Sequence, residues 1–222
     1  MQTEAPLTNA PAAAPMRAPM TMLSTVSVRR VPTAILVVYA LLLALALGLG
    51  TAYRAINGNP PFGSLRLGPW QSWPKLGSPE ADPYMRAILA HRGDVPLATG
   101  EGLGFLAGQD SDGRPLDSAC TYTIGTTAPV ARLWTVTLYD GEGRLPATEL
   151  GRRSFTSAEV LRDSQDRFTI ALSRSLQPGN WLQLPANGPF TISLRLYDPP
   201  GAAATNLEES DFPAIQRLGC GA

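Results

Sequence analysis

The chain has 222 residues, 18 basic and 18 acidic side chains, a formal net charge of zero and 44% hydrophobic residues. No block of like charge occurs, which argues against a nucleic-acid surface or a polybasic lipid patch. The single His91 lies far in sequence from Cys120 and Cys220, so no metal-ligand cluster forms and neither a metal nor another cofactor is expected.

Residues 1–30 are rich in Ala, Pro, Thr and Met, and their Ala-Pro steps suit neither a core nor a regular helix, which predicts a disordered tail. The uncharged run at 31–53 follows Arg29 and Arg30 and precedes Arg54. As a helix it reaches about 35 Å, enough to cross a hydrocarbon core of about 30 Å. Arg17, Arg29 and Arg30 before it place the amino terminus in the cytoplasm by the positive-inside bias, with the rest of the chain exported to the periplasm across the inner membrane. The apolar stretch is too long for a signal peptide, and Ala52-Tyr53-Arg54-Ala55 is a poor cleavage site, so a retained anchor is expected.

Residues 54–63 read as a turn-rich linker that lifts the following domain, 64–222, off the bilayer. Trp70 and Trp73 suit core packing better than an interfacial belt. A helix is expected over 79–92, capped by Ser78, opened by Pro79 and stopped by Gly93, with His91 in its last turn. Beyond Gly93 come β-prone runs at 104–107, 120–124, 131–140, 168–172 and 190–197, separated by Gly, Pro, Asp and Asn, the pattern of an antiparallel sandwich or barrel. A short helix at 157–162 is the weakest element. Two exported thiols favour a Cys120 to Cys220 bond, whose loop of about 100 residues is worth about 4.7 kcal/mol in the chain-entropy model.

The runs Ala131-Arg132-Leu133-Trp134-Thr135-Val136-Thr137-Leu138-Tyr139-Asp140, Pro178-Gly179-Asn180-Trp181-Leu182 and Gly188-Pro189-Phe190 through Leu194-Arg195-Leu196-Tyr197-Asp198 resemble the domain-of-unknown-function family 1214. Asp82-Pro83-Tyr84-Met85-Arg86-Ala87 resembles its short, membrane-anchored bacterial branch. The resemblance spans 64–200 and implies a jelly-roll-like β-sandwich, without implying an activity.

Five residues, Arg132, Asp140, Asn180, Trp181 and Arg195, are candidates for ligand binding. Asn180 and Trp181 could form a pocket lip, with Trp stacking on a ligand, although a structural corner is the favoured reading. Arg132 and Arg195 lie among apolar strand residues and should pair with a carboxylate or face an anion-binding cavity. Asp140 and Asp198 end strands, where Asp serves turns, yet two carboxylates could also divide acid and base roles. Serine nucleophile and phosphate-loop patterns are absent. The chain therefore reads as a single-pass envelope protein whose domain is a binding or interaction module, for a glycan, a lipid or another membrane protein. The alternative is a hydrolase or carbohydrate-active enzyme using Asp140 or Asp198 with Arg132, and a third reading is an assembly factor with an exposed apolar patch.

Overall fold

Side chains alternate across a strand, so runs that alternate apolar with polar residues are the ones that can cover a core on one face. The computed structural model describes residues 32–93, 95–98, 100–128, 130–199 and 207–221. The tail expected at 1–30, with Arg17, Arg29 and Arg30, lies outside the described residues.

Helix α1 (Thr33–Ile56) is 24 residues long, its only charge is Arg54, and none of its residues is buried. An 18-residue stretch of it has a mean hydropathy of 2.4, and it is the one described helix long and apolar enough to cross a membrane. The Thr51 hydroxyl donates to the carbonyl of Leu47 at 2.8 Å, which satisfies the polar group within the helix.

Ten strands are described: β1 (Leu65–Leu67), β2 (Trp70–Ser72), β3 (Gly102–Ala107), β4 (Cys120–Thr126), β5 (Leu133–Asp140), β6 (Ser154–Thr156), β7 (Phe168–Ser173), β8 (Asn180–Gln183), β9 (Phe190–Tyr197) and β10 (Ala214–Cys220). They form a six-stranded sheet, β1-β2-β3-β9-β5-β6, and a four-stranded sheet, β10-β4-β7-β8. One apolar cluster joins the two, drawing Val136, Leu138, Ile192 and Leu194 from the first and Ile124, Ile170, Leu172 and Ile215 from the second. Aromatic pairs cross between the sheets, Tyr122 to Phe190 at 5.6 Å and Trp134 to Phe168 at 4.8 Å. The expected sandwich is present as two layers over a shared core. One pairing departs from the all-antiparallel expectation: β7 and β8 are parallel.

The central ladder is β5 with β9, in register from Leu133 opposite Tyr197 to Asp140 opposite Phe190. On the other side of β9, Gly102 of β3 lies so close that a Cβ there would sit 2.1 Å from the Leu196 carbonyl oxygen, which reserves the position for glycine. Trp70 is fully buried and its indole N–H donates to Pro213 at 2.9 Å, while Trp73 donates to Pro60 at 2.9 Å. Both indoles are core residues, in agreement with the packing expectation.

Helix α2 (Pro83–Arg92) is shorter than expected. Asp82, not Ser78, is the cap: its carboxylate accepts from the backbone N–H groups of Tyr84 and Met85, and Pro83 rather than Pro79 occupies the first turn. Ser78 instead closes a local turn by accepting from Glu80 at 3.2 Å. Gly93, at φ 67°, stops the helix as expected. Met85 packs in a satellite cluster with Trp73 and Ala81, against Leu106 of β3. Residues 57–60 do not stand clear as a spacer, because Arg92 donates to the Gly58 carbonyl at 2.6 Å and His91 bonds Asn57 at 3.2 Å. The segment expected as a short helix at 157–162 is instead a turn followed by an isolated bridge of Arg162 to Phe168.

The expected disulfide joins Cys120 to Cys220. The two residues are register partners on β4 and β10, so the bond fastens an edge strand to its neighbour.

Candidate functional site

The five candidate residues do not converge. Arg132 precedes β5 and its guanidinium meets the Asp198 carboxylate at 3.4 Å, with both side chains largely exposed. Asp140 stands at the opposite end of β5, eight residues on and about 26 Å away at about 3.3 Å of rise per residue. Asp140 and Arg132 therefore cannot share one reacting centre, whereas Asp198 and Arg132 are adjacent. Arg195 lies between these ends, opposite Gly104 and Thr135, and shares its half-buried face with Thr191 and Tyr197 rather than with the core.

Asp140 has a structural task that recurs twice more. In Asp110-Ser111-Asp112-Gly113-Arg114, Asp140-Gly141-Glu142-Gly143-Arg144 and Asp163-Ser164-Gln165-Asp166-Arg167, the first carboxylate accepts from the backbone N–H groups two and four residues on, each at 2.9 to 3.1 Å. The Arg backbone carbonyl accepts from the Asp N–H in all three, and the Arg side chain pairs with the same Asp. The fourth position has positive φ each time, with Asp166 at 59° replacing the glycines. The backbone N–H of Arg144, joined by that of Glu142, holds the Asp140 carboxyl below the usual carboxylate range. The N–H groups of Arg167 and Gln165 do the same for Asp163. For Asp110, burial pushes the carboxyl up, but the Arg114 backbone and guanidinium and the Arg217 charge outweigh it and hold the group low. This five-residue spacing was available in the sequence as an internal repeat.

Asn180 is buried and committed to the fold. Its side-chain oxygen accepts from the Leu161 N–H at 2.7 Å, and its amide donates to Leu161 at 2.8 Å and Thr169 at 3.0 Å. The amide thus replaces missing strand bonds and ties the 157–161 turn to β7 and β8. Trp181, next to it, is half-buried; its indole N–H reaches the Ser173 carbonyl and hydroxyl, both at 3.2 Å. The expected turn at Asn180-Trp181 is the start of β8, and Pro178-Gly179 alone makes the turn.

Around Trp181 lies an open cleft of about 380 Å³, the larger of the two described, whose lining includes Phe155, Leu161, Gln177 and Gln183. It lies at the open end of the sandwich, bounded by β6 and β8, the terminal strands of the two sheets. Three of its walls are leucines in loops, Leu150, Leu161 and Leu176, exposed by 70%, 66% and 73%. The Arg152 guanidinium lies 4.7 Å over the Phe155 ring and makes no ion pair among the described residues, with Glu159 lining the same cleft. Of the expected site residues only Trp181 and Asn180 line this cleft, and Asn180 has spent its hydrogen bonds elsewhere. The sequence reading missed the leucines and Arg152. Their signal was faint: single apolar residues set among Gly, Ser, Gln and Arg. A volume in the range of ligand pockets, apolar walls and a few polar groups suit binding. Among the described residues no group of three His, Cys, Asp or Glu could hold a metal ion.

No curated protein matches the chain in sequence. A crystal structure of a Vibrio parahaemolyticus protein aligns with a TM-score of 0.51 and 24% identity, covering 63% of this chain and 36% of the other. The chain thus corresponds to little more than a third of that protein, and the likeness concerns the fold. A Burkholderia cenocepacia protein aligns at 14% identity over 53% of this chain and 30% of its own, with a TM-score of 0.39. Residues 101–201, which hold β3 through β9, match the model of a family described as Protein of unknown function (DUF1214).

Proposed function

We propose that the chain is a single-pass inner-membrane protein of the short, membrane-anchored kind in this family, with its amino terminus cytoplasmic and its β-sandwich serving as a periplasmic binding or interaction module. The observation that carries the reading is α1, 24 residues with one charge and, among the described residues, no buried side chain. The basic residues Arg17, Arg29 and Arg30 before it support the orientation, and the Cys120 to Cys220 bond suits an oxidising compartment. The binding role is supported by the cleft at the β6 and β8 edges, whose exposed leucines would otherwise be an unexplained solvation cost. The partner class is an envelope protein, a glycan or a lipid.

Protease added to intact spheroplasts tests the location. The domain should be digested from outside while the membrane stays sealed, and a domain digested only after lysis would overturn the reading. Native mass spectrometry of the full chain in mild detergent tests the binding role, with a co-purifying protein or small molecule as the expected result.

A further inference from the structure

The cleft has a second feature besides its leucines, the outward main chain of β8, which is the last strand of its sheet. Leu184 donates its N–H to the Ser173 carbonyl at 3.1 Å, on the β7 side. Hydrogen bonds alternate along a strand, so the main-chain groups of Asn180 and Leu182 also face β7, and those of Trp181 and Gln183 face away. Beyond β8 the sheet has no further strand, and these outward N–H and C=O groups have no backbone partner among the described residues. Glu149 meets β8 at a side chain: its N–H donates to Gln183 Oε1 at 2.9 Å. Natural edges are commonly blunted by Lys, Pro or a bulge. β8, Asn-Trp-Leu-Gln, has none of these within it.

We propose that this edge takes an extended polypeptide segment of a partner protein as a fifth strand of the four-stranded sheet. The inference rests on the interaction-module reading and names its partner class. The outward donors and acceptors of Trp181 and Gln183 recur two residues apart, which is the repeat of an incoming strand, and only a peptide backbone offers the complementary series. Alternate side chains of the segment enter the cleft among Leu150, Phe155, Leu161 and Leu176, and apolar residues suit it. Arg152, stacked on Phe155 and in no ion pair among the described residues, receives an acidic side chain or a terminal carboxylate. Main-chain bonds supply the affinity, and the leucine walls with Arg152 supply the selection.

The test selects binders from a displayed library of random dodecapeptides on the full-length protein in mild detergent, then measures a synthetic binder by titration and amide hydrogen exchange. Peptide binding should protect the Trp181 and Gln183 amides. Gln183→Pro removes an outward N–H without touching the β7 ladder and should weaken binding at least tenfold, while Gln183→Ala, which loses the same side chain, should not. Circular dichroism and the intact disulfide check that both variants fold, and exchange on the unaltered protein stands even where they do not. The proposal is overturned by a library that yields no binder, by binders that leave both amides unprotected, or by equal losses in the two variants. Protection that grows with protein concentration in the absence of peptide also overturns it, in favour of pairing between copies. These outcomes are independent of protease accessibility, so a failed peptide and a misplaced domain are distinguishable.

Discussion

The two edges of the four-stranded sheet are built in opposite ways. At β10 the outward N–H and C=O of Ile215 are both taken by Ser111, the first by its hydroxyl and the second by its backbone N–H, each at 2.9 Å. Arg217 of the same strand reaches the buried Asp110 carboxylate at 3.1 Å and stacks over Tyr122, and Cys220 is bonded to Cys120. At β8 the outward groups have no such cover among the described residues, and one buried amide, Asn180, ties the strand to its neighbours. An edge closed by covalent, ionic and main-chain bonds cannot accept a further strand, whereas one finished by a single side chain and ringed by exposed leucines can. The contrast separates the side of the domain that secures the fold from the side that is available.

Substitutions should divide along the same line. The largest loss is expected from Cys120→Ser with Cys220→Ser, which frees the long loop and should cost about 4 kcal/mol in urea unfolding. Asp110→Ala leaves Arg114 and Arg217 without their shared carboxylate and should cost about 3 kcal/mol in the same measurement. If either variant were as stable as the parent, the closed edge would not be what secures the sheet. On the open side, Asn180→Ala strips partners from Leu161 and Thr169 and should cost about 2 kcal/mol, with hydrogen exchange rising first at 157–161.

Acid should act on the turns rather than on the open edge. Asp110, Asp140 and Asp163 all have carboxyls held below their ordinary value of 3.8 in the fold. Folded values below unfolded ones mean that their contribution is complete above about pH 4 and is lost as pH falls through the folded values. Thermal unfolding followed downward from pH 5 should show this loss, and Asp140→Asn should flatten it. The smallest effect is expected at Leu176→Ser, within about 0.5 kcal/mol of the parent because the side chain is already in solvent. That variant should instead weaken capture of the selected peptide, and a large stability loss would show that the leucine is structural.

Legibility in the sequence followed the source of each element's stabilisation. The β9 run, 190–197, matches its strand because eight residues alternate apolar and polar without a break. β1, β6 and β8, of three or four residues, carry too short a pattern to be told from loops, and β10 ends in Leu-Gly-Cys after a register shift near Gly219. Helix α2 was misplaced at its start because Ser78-Pro79 and Asp82-Pro83 are equally good opening signals. The Asp82 carboxylate prevailed, with Met85 and Ala81 packed beside Trp73.

The sequence by itself determined the apolar helix and the β-rich domain after it and favoured the pairing of its two cysteines, because hydropathy, alternation and a count of thiols are read from the chain without its contacts. Only the tertiary structure decided that Arg132 meets Asp198, that Asn180 is a buried tie, and that Trp181, Arg152 and three distant leucines share one cleft. Those facts depend on strand order and on the parallel seating of β8, which arise from contacts between residues far apart in the chain.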